Sequence, residues 1–350
     1  MRAVILAGGE GTRLRPLTLT TPKPVVPVVD RPLLRHQLDL LAGAGVREVV
    51  FSVAYRPERV EAVFGDGSAF GVRIRYVVED APLGTGGAVR NALPLLDERT
   101  IVLNGDILTD VDLGEVVARH EAEAASATIL LTPVPNPAAY GLVETDPDGR
   151  VRRFLEKPRP EQITTNTINA GVYVLETRVI ELMPGAVNYS IERGFFPALL
   201  DRGDVVLGPV HRGYWIDVGT PEKYLQVQRD VLNRRFPVPL DGVPRAEGFV
   251  HPTARVSEGA LLDGHFYVGP GCEVEAGARL GPDAVLVGDV RVRAGAWLRD
   301  SVLWQGVEAG PDCEVQGSLI GRGVRLGRSS LLRNAVLGEG SVLSDHSRTL

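Results

Sequence analysis

From residue 250 onward an aliphatic residue returns at every sixth position: Val250, Val256, Leu262, Val268, Val274, Leu280, Leu286, Val292 and Leu298. Glycine-rich turns such as Gly269-Pro270-Gly271 and Gly281-Pro282 fall between them. A step of six belongs to stacked short strands, each sending one aliphatic side chain into a shared core, as in a parallel β-helix. After a shift in phase the step resumes at Val307, Cys313, Leu319, Leu331, Leu337 and Leu343, with Arg325 as the exception. The repeat sets a solenoid domain at 249–345 and leaves 346–350 as a tail.

The earlier part of the chain has another rhythm. Apolar runs at 3–6, 46–53, 72–78, 101–103 and 127–134 read as strands. Between them, 32–44, 57–64, 85–96 and 113–124 carry apolar residues at helical spacing. Such a βαβα order predicts a Rossmann-like α/β domain with a mostly parallel sheet, over residues 1–233. A hairpin at 141–145 and 150–155, a strand at 170–175 and a helix at 190–200 capped by Ser190 complete it. The proline-rich stretch 234–248 reads as a linker. In open sheets of this kind, ligands bind at the carboxyl ends of the strands.

Net charge is −6, and no dense Lys/Arg run appears, which argues against nucleic acid as a partner. No apolar run reaches the length of a membrane span, and the glycines after Ala7 interrupt the layout of a signal peptide, so a cytoplasmic protein is expected. Cys272 and Cys313 form no CxxC pair, which leaves no zinc or redox motif. Lysine occurs only at Lys23, Lys157 and Lys223 among 38 basic residues. In a chain that otherwise uses arginine, a lysine hints at a site suited to a compact point charge.

Gly8-Gly9-Glu10-Gly11-Thr12-Arg13 follows the first strand and matches neither the Walker loop nor the dinucleotide fingerprint, because GK[ST] is missing and Leu14 replaces the third glycine. What remains is a loop whose N–H groups can approach phosphate, with an arginine fork beside it. A plain strand-to-helix turn fits these glycines equally. Pro22-Lys23-Pro24 and Glu156-Lys157-Pro158 each hold a scarce lysine against proline. They read as stiffened phosphate contacts, or as a loop lysine and a surface ion pair. Asp106 and Asp217 both follow apolar strands, where carboxylates can hold Mg²⁺ between phosphates or simply cap turns.

Taken in order, LAGGEGTRLRPLT, PKP, EDAPLGTGGAV, LNGD, YGLVE, FLEKP, INAGVYVL, SIERGFFP and YWIDVGTP resemble the sugar nucleotidyltransferase family over about the first 230 residues. The hexapeptide repeat resembles the left-handed β-helix carried by its guanylyl- and adenylyltransferase members. The resemblance implies transfer of a nucleotidyl group from a nucleoside triphosphate to a sugar 1-phosphate, releasing pyrophosphate. It implies that Leu6, Ala7, Gly8, Gly9, Gly11, Thr12, Arg13, Glu79, Pro82, Gly84, Thr85 and Asp106 hold the nucleotide. Arg13 and Lys23 would act on its phosphates. Gly141, Glu156, Lys157, Asn169 and Asp217 would hold the sugar phosphate, and Asp106 and Asp217 the catalytic Mg²⁺. It also implies a homo-oligomer formed through the β-helix.

Glu79 stands where thymidylyl and uridylyl members carry glutamine. A carboxylate only accepts hydrogen bonds, which suits the N1 and N2 donors of guanine. GTP with mannose 1-phosphate is therefore the favoured pair. Glucose 1-phosphate with dTTP, UTP or ATP, and heptose 1-phosphate with GTP, are the rivals. A non-catalytic regulatory relative would have damaged phosphate and metal motifs, and these are whole. A β-helix acyltransferase would need a histidine base, for which His251, His265 and His346 qualify by residue type alone.

Overall fold

A computed structural model describes residues 1–349. The chain divides into two compact units that cut across its linear order. The first comprises Met1–Gly9 and Leu34–Trp215; the second comprises Glu10–Leu33 and everything from Ile216 onward.

The first unit is built on a nine-stranded sheet. Its strands are β1 (Arg2–Leu6), β2 (Glu48–Val53), β3 (Arg73–Val78), β4 (Arg99–Asn104), β5 (Ala127–Pro133), β6 (Gly141–Thr145), β7 (Val151–Glu156), β8 (Thr167–Glu176) and β9 (Val206–Leu207). The main path runs β7-β6-β8-β4-β1-β2-β3, with β5 on β8 and β9 on β5. The parallel character expected from the βαβα rhythm belongs to β4, β1, β2 and β3. Strand β8 is antiparallel to β4, β5 and β6, and from there the sheet is antiparallel apart from β9. Central strands buried on both faces need near-continuous apolar runs, and Ala3, Val4 and Ile5 of β1 and Ile101, Val102 and Leu103 of β4 are fully buried.

The 190–200 helix differs from its sequence reading. It opens with a π-turn, Ile191–Phe195, before the α-helix Phe196–Asp201. Pro197 supplies no N–H to continue an α pattern, and the N–H groups of Gly194 and Phe195 both reach the Ser190 carbonyl, at 3.1 and 3.2 Å. Ser190 caps the turn as expected.

In the second unit, three sheets of short strands, parallel apart from the edge strand Val243–Arg245, form the left-handed β-helix. Inward positions follow Val250, Val268, Leu286, Leu303, Ile320 and Leu337 up one sheet. The other two climb through Val274, Val292, Ala309 and Leu326, and through Leu280, Leu298, Val315 and Leu332. The sixfold step therefore slips by one residue at Leu298 to Leu303, and again at Val315 to Ile320 and Leu332 to Leu337, not once overall. Arg325 breaks the simple step because it is the outward neighbour of buried Leu326. The shortened corners carry Asp300, Gly317 and Asn334 at positive φ, residue types that tolerate the left-handed region. Arg348–Thr349 form a further strand, paired with Leu331 and Leu332, within the expected tail; Leu350 lies outside the described residues.

One outer face of the β-helix is an apolar ladder: Tyr267, Val285, Val302 and Leu319 are all buried. The helix Pro221–Leu232 packs against it at the strand Ser301–Leu303. Trp304 donates to the Tyr224 hydroxyl at 3.1 Å, Arg229 grips Asp300 with both 2.6 Å arms of its fork, and Asn233 donates to Asp283 at 2.9 Å. The same helix holds the short hairpin at 27–32. Gln228 accepts from the Val29 N–H at 2.7 Å and donates to the Pro27 carbonyl at 3.0 Å. This is why residues 10–33 belong with the far end of the chain.

Candidate functional site

Strand β1 ends at Leu6, which lies in register between Ser52 of β2 and Asn104 of β4. The Gly105 N–H donates to the Leu6 carbonyl at 2.9 Å. A Cβ on Gly105 would stand 2.6 Å from that oxygen, so only glycine lets the two chain ends meet. Asp106 is thereby brought to the start of the glycine loop. Ala7 donates to the Ser52 carbonyl at 2.8 Å, and beyond it nothing lies within 4 Å of where a Gly9 side chain would begin. That open space is what a loop needs to take a phosphate on its N–H groups.

Glu79, just after β3, is held on three sides. Its N–H donates to Val53, Oε1 accepts from the Ser52 hydroxyl at 2.9 Å, and Oε2 accepts from the Leu83 N–H at 3.0 Å. A side chain on Gly8 would touch Oε1 at 3.2 Å. Two of roughly four acceptor positions on the carboxylate are thus in use, and the rest remain for a ligand. Gly84 takes φ +68°, and a Cβ there would meet the Tyr189 carbonyl at 2.7 Å. The Pro82 carbonyl accepts from Asn188 at 2.9 Å. Thr85, grouped by the resemblance with the nucleotide contacts, spends its hydroxyl on Glu192 at 2.7 Å while accepting from the Ile191 N–H at 3.0 Å.

The sugar-side residues gather on β6, β7 and β8. Glu156 pairs across from Gly141, and a Cβ on Gly141 would stand 2.9 Å from Glu156 Oε2. Lys157 follows at φ +52°, its N–H on the Tyr140 carbonyl at 3.0 Å and its side chain exposed. Asn169 donates to the Tyr173 hydroxyl at 2.8 Å and accepts from the Gly171 N–H at 2.9 Å, across an irregularity in β8. Gly171 packs directly on the Asn104 side chain, which links this group to the β1–β4 edge. Trp215 donates to the Ala170 carbonyl at 2.8 Å and braces Tyr140 edge-on. Burial raises the Glu156 carboxyl above its usual range, and the charge of Glu192 adds to this, against Lys157 and Arg193.

The remaining expected residues lie in the second unit. Gly11 sits at φ +64° and caps the short turn Thr12–Leu14; Thr12 and Arg13 are exposed. The Thr18 hydroxyl donates to the Gly11 carbonyl at 2.8 Å, and Lys23 packs beside Gly11 with only 8% of its surface exposed. The Arg13 guanidinium lies on Gly219, where an added Cβ would be 2.8 Å from Nη2. Asp217 is ion-paired through Oδ1 with Lys223, in the first turn of the helix that Thr220 caps.

Among the described residues no three His, Cys, Asp or Glu side chains cluster as a metal cage. Mg²⁺ does not require one, since it binds through one or two carboxylates together with water and phosphate oxygens. Asp106 and Asp217 carry carboxylate oxygens of that kind, one of which, on Asp217, is paired with Lys223. His251 and His265 are tied locally, to Thr253 and to the Glu247 carbonyl. The sequence reading gave no role to Asn104, Lys223 or Glu192, which the structure places among these residues. The scarcity of lysine was the signal for Lys223, while the other two stand in quoted motifs whose side chains drew no attention.

A family model described as nucleotidyl transferase matches residues 2–234, and one described as GMPPB C-terminal domain matches 263–348. The chain is 45% identical to the mannose-1-phosphate guanylyltransferase of Mycobacterium tuberculosis (strain H37Rv), over 84% of this chain and 81% of that protein. It is 31% identical to the UTP–glucose-1-phosphate uridylyltransferase of Synechocystis, over 91% and 87%. Among solved structures, HddC from Yersinia pseudotuberculosis complexed with GMP-PN superposes with a TM-score of 0.57 at 30% identity, over 65% of this chain and 98% of that one.

Proposed function

The chain belongs to the nucleotidyl transferase family, and on that premise we propose that it joins GTP to mannose 1-phosphate, releasing pyrophosphate and forming GDP-mannose. The observation that carries the base is Glu79, an acceptor-only carboxylate fixed by Ser52 and Leu83 beside Gly8. Its remaining lone pairs suit the N1–H and N2–H donors of guanine. The 45% identity to a protein named for mannose 1-phosphate and guanylyl transfer supports the same pair.

In this reading the N–H groups of Gly8, Gly9, Gly11 and Thr12 cradle the triphosphate. Arg13 and Lys23 neutralise charge on the α-phosphate and the departing pyrophosphate. Gly141, Glu156 and Asn169 orient the sugar, and Lys157 holds its phosphate so that one oxygen lies in line with the α-phosphorus. Attack forms the new P–O bond as the bond to pyrophosphate breaks. Positioning and charge neutralisation supply the catalysis, with no covalent enzyme intermediate. Enzymes of this family generally use a divalent metal. Asp106 and Asp217 would hold Mg²⁺, whose charge would lower the repulsion between the phosphates. We place the enzyme in the cytoplasm, as a homo-oligomer assembled through the β-helix.

The test is pyrophosphate release over a matrix of nucleoside triphosphates and sugar 1-phosphates. GTP with mannose 1-phosphate gives the highest kcat/KM, and Glu79→Gln shifts preference toward UTP or dTTP. A wild type that favours UTP or dTTP overturns the base assignment. UTP with glucose 1-phosphate is the second reading, favoured by the similarity to the Synechocystis protein.

A further inference from the structure

The motif at 190–197 takes no part in the chemistry above, yet the chain builds an unusual turn around one of its side chains. Glu192 sits in the π-turn Ile191–Phe195, and π-turns concentrate at functional sites. Two hydroxyls donate to the same carboxylate oxygen, Oε2: Thr85 at 2.7 Å and Ser190 at 2.7 Å. Each hydroxyl is itself fixed by backbone, Thr85 by the Ile191 N–H and Ser190 by the N–H groups of Glu192 and Arg193. Among the described residues, Oε1 receives no protein donor. One oxygen is clamped and the other is presented.

Packing sets where the turn lies. Phe196, just beyond the turn, lies 5.4 Å from Phe154 of β7 and 5.4 Å from Tyr173 of β8, ring centre to ring centre. The turn therefore rests on the strands that carry Glu156 and Asn169. The field of Glu192 reaches both neighbours, raising the Glu156 carboxyl and the buried Tyr173 phenol. A second carboxylate placed against the first serves poorly as a phosphate contact. It serves well to accept hydrogen bonds from a neutral polyol, because each hydroxyl proton relieves charge that burial has left poorly solvated.

We propose that Glu192 is a second sugar-reading carboxylate: Oε1 accepts a ring hydroxyl of the sugar 1-phosphate while Glu156 accepts another. Thr85 and Ser190 are its positioning residues. The inference rests on the proposed function and names a determinant of its sugar specificity.

Glu192→Gln tests it. The amide oxygen still accepts from Thr85 and Ser190, so the turn survives, but an NH₂ donor replaces the presented acceptor. With the full-length enzyme, KM for mannose 1-phosphate rises about tenfold or more, the loss of one charge-assisted hydrogen bond, while KM for GTP changes less than about twofold. A series of deoxy-mannose 1-phosphates identifies the hydroxyl read, because the variant and wild type converge on the analogue that lacks it. Thr85→Val, which removes one of the two hydroxyls on Oε2 and leaves Ser190, raises the same KM by a smaller factor. Two results overturn the inference: an unchanged KM for every sugar phosphate in Glu192→Gln, or an equal rise in both KM values with a lowered Tm. Wild type inactive with every substrate pair would instead sink the proposed function, and this inference with it.

Discussion

The hydroxyl of Tyr224 stands between two parts of the molecule more than 250 residues apart in sequence: it receives the Trp304 indole N–H at 3.1 Å and donates to the Pro27 carbonyl. Trp304 belongs to the β-helix and Pro27 to the segment that carries Arg13 and Lys23. Tyr224 is fully buried, so loss of its hydroxyl strands the Trp304 N–H away from water, while the Pro27 carbonyl keeps Gln228. Tyr224→Phe keeps the ring and removes the hydroxyl. It is expected to cost about 1–3 kcal/mol and to lower Tm by several degrees in a thermal melt. An unchanged Tm would show that the hydroxyl is not a strut.

Gly219 gives a sharper functional test. No left-handed φ requires glycine there; the constraint is the Arg13 guanidinium lying on its Cα. Gly219→Ala should leave the backbone intact and push Arg13 aside. The expected outcome is a fall in kcat of roughly ten- to a hundredfold with Tm nearly unchanged, read by pyrophosphate release and calorimetry on the same sample. A fall in Tm without a fall in kcat would place the strain in the fold.

The repeat illustrates how far sequence reads into structure. Its architecture was plain, because few folds other than a β-helix send an aliphatic side chain inward at a fixed step of six. The repeated slip at Leu303, Ile320 and Leu337 was not, since Val307, a core residue two before Ala309, and Leu319, beside Ile320, are aliphatic too. Leu319 is fully buried although it lies on the outer ladder. The residues proposed to carry the chemistry stood out through scarce types and tight spacing: Gly8, Arg13, Lys23, Lys157. Glu192 did not, because its meaning lies in Thr85 and Ser190 both turning toward it, and a hydroxyl's direction is written in three dimensions.

Lys223 and Asp217 make a prediction about metal dependence. The ammonium occupies Oδ1 of a carboxylate proposed to hold Mg²⁺. A cation arriving at Asp217 competes with it or shares the group. Lys223→Gln should therefore lower the Mg²⁺ concentration giving half-maximal rate, severalfold, at saturating substrates. A higher Mg²⁺ requirement would mean that the lysine assembles the site.

Acid stability should depend on His120. The ring is fully buried, with Nδ1 on the Thr128 hydroxyl at 2.8 Å and Nε2 on Glu176 at 3.1 Å. Burial lowers its pKa from 6.5, outweighing the pull of Glu176. The unfolded chain therefore takes the proton first as pH falls, and the stability that this histidine supports is present above about pH 6.5 and lost below it. Melts of wild type and His120→Gln from about pH 7.5 to about pH 5 should show the wild-type advantage shrinking with acid. An advantage that grows would mean that the imidazolium is the stabilised form.

The membership of residues 10–33 in the same compact unit as the β-helix has a consequence for how the enzyme is made. The segment with Arg13 and Lys23 leaves the ribosome early, while Tyr224, Gln228 and the strands beneath them leave late. That segment must wait for its partners Tyr224 and Gln228 until most of the polypeptide exists. A chain whose translation stops short is expected to lack the partners of the segment with Arg13 and Lys23, and so to be inactive, not active at partial strength.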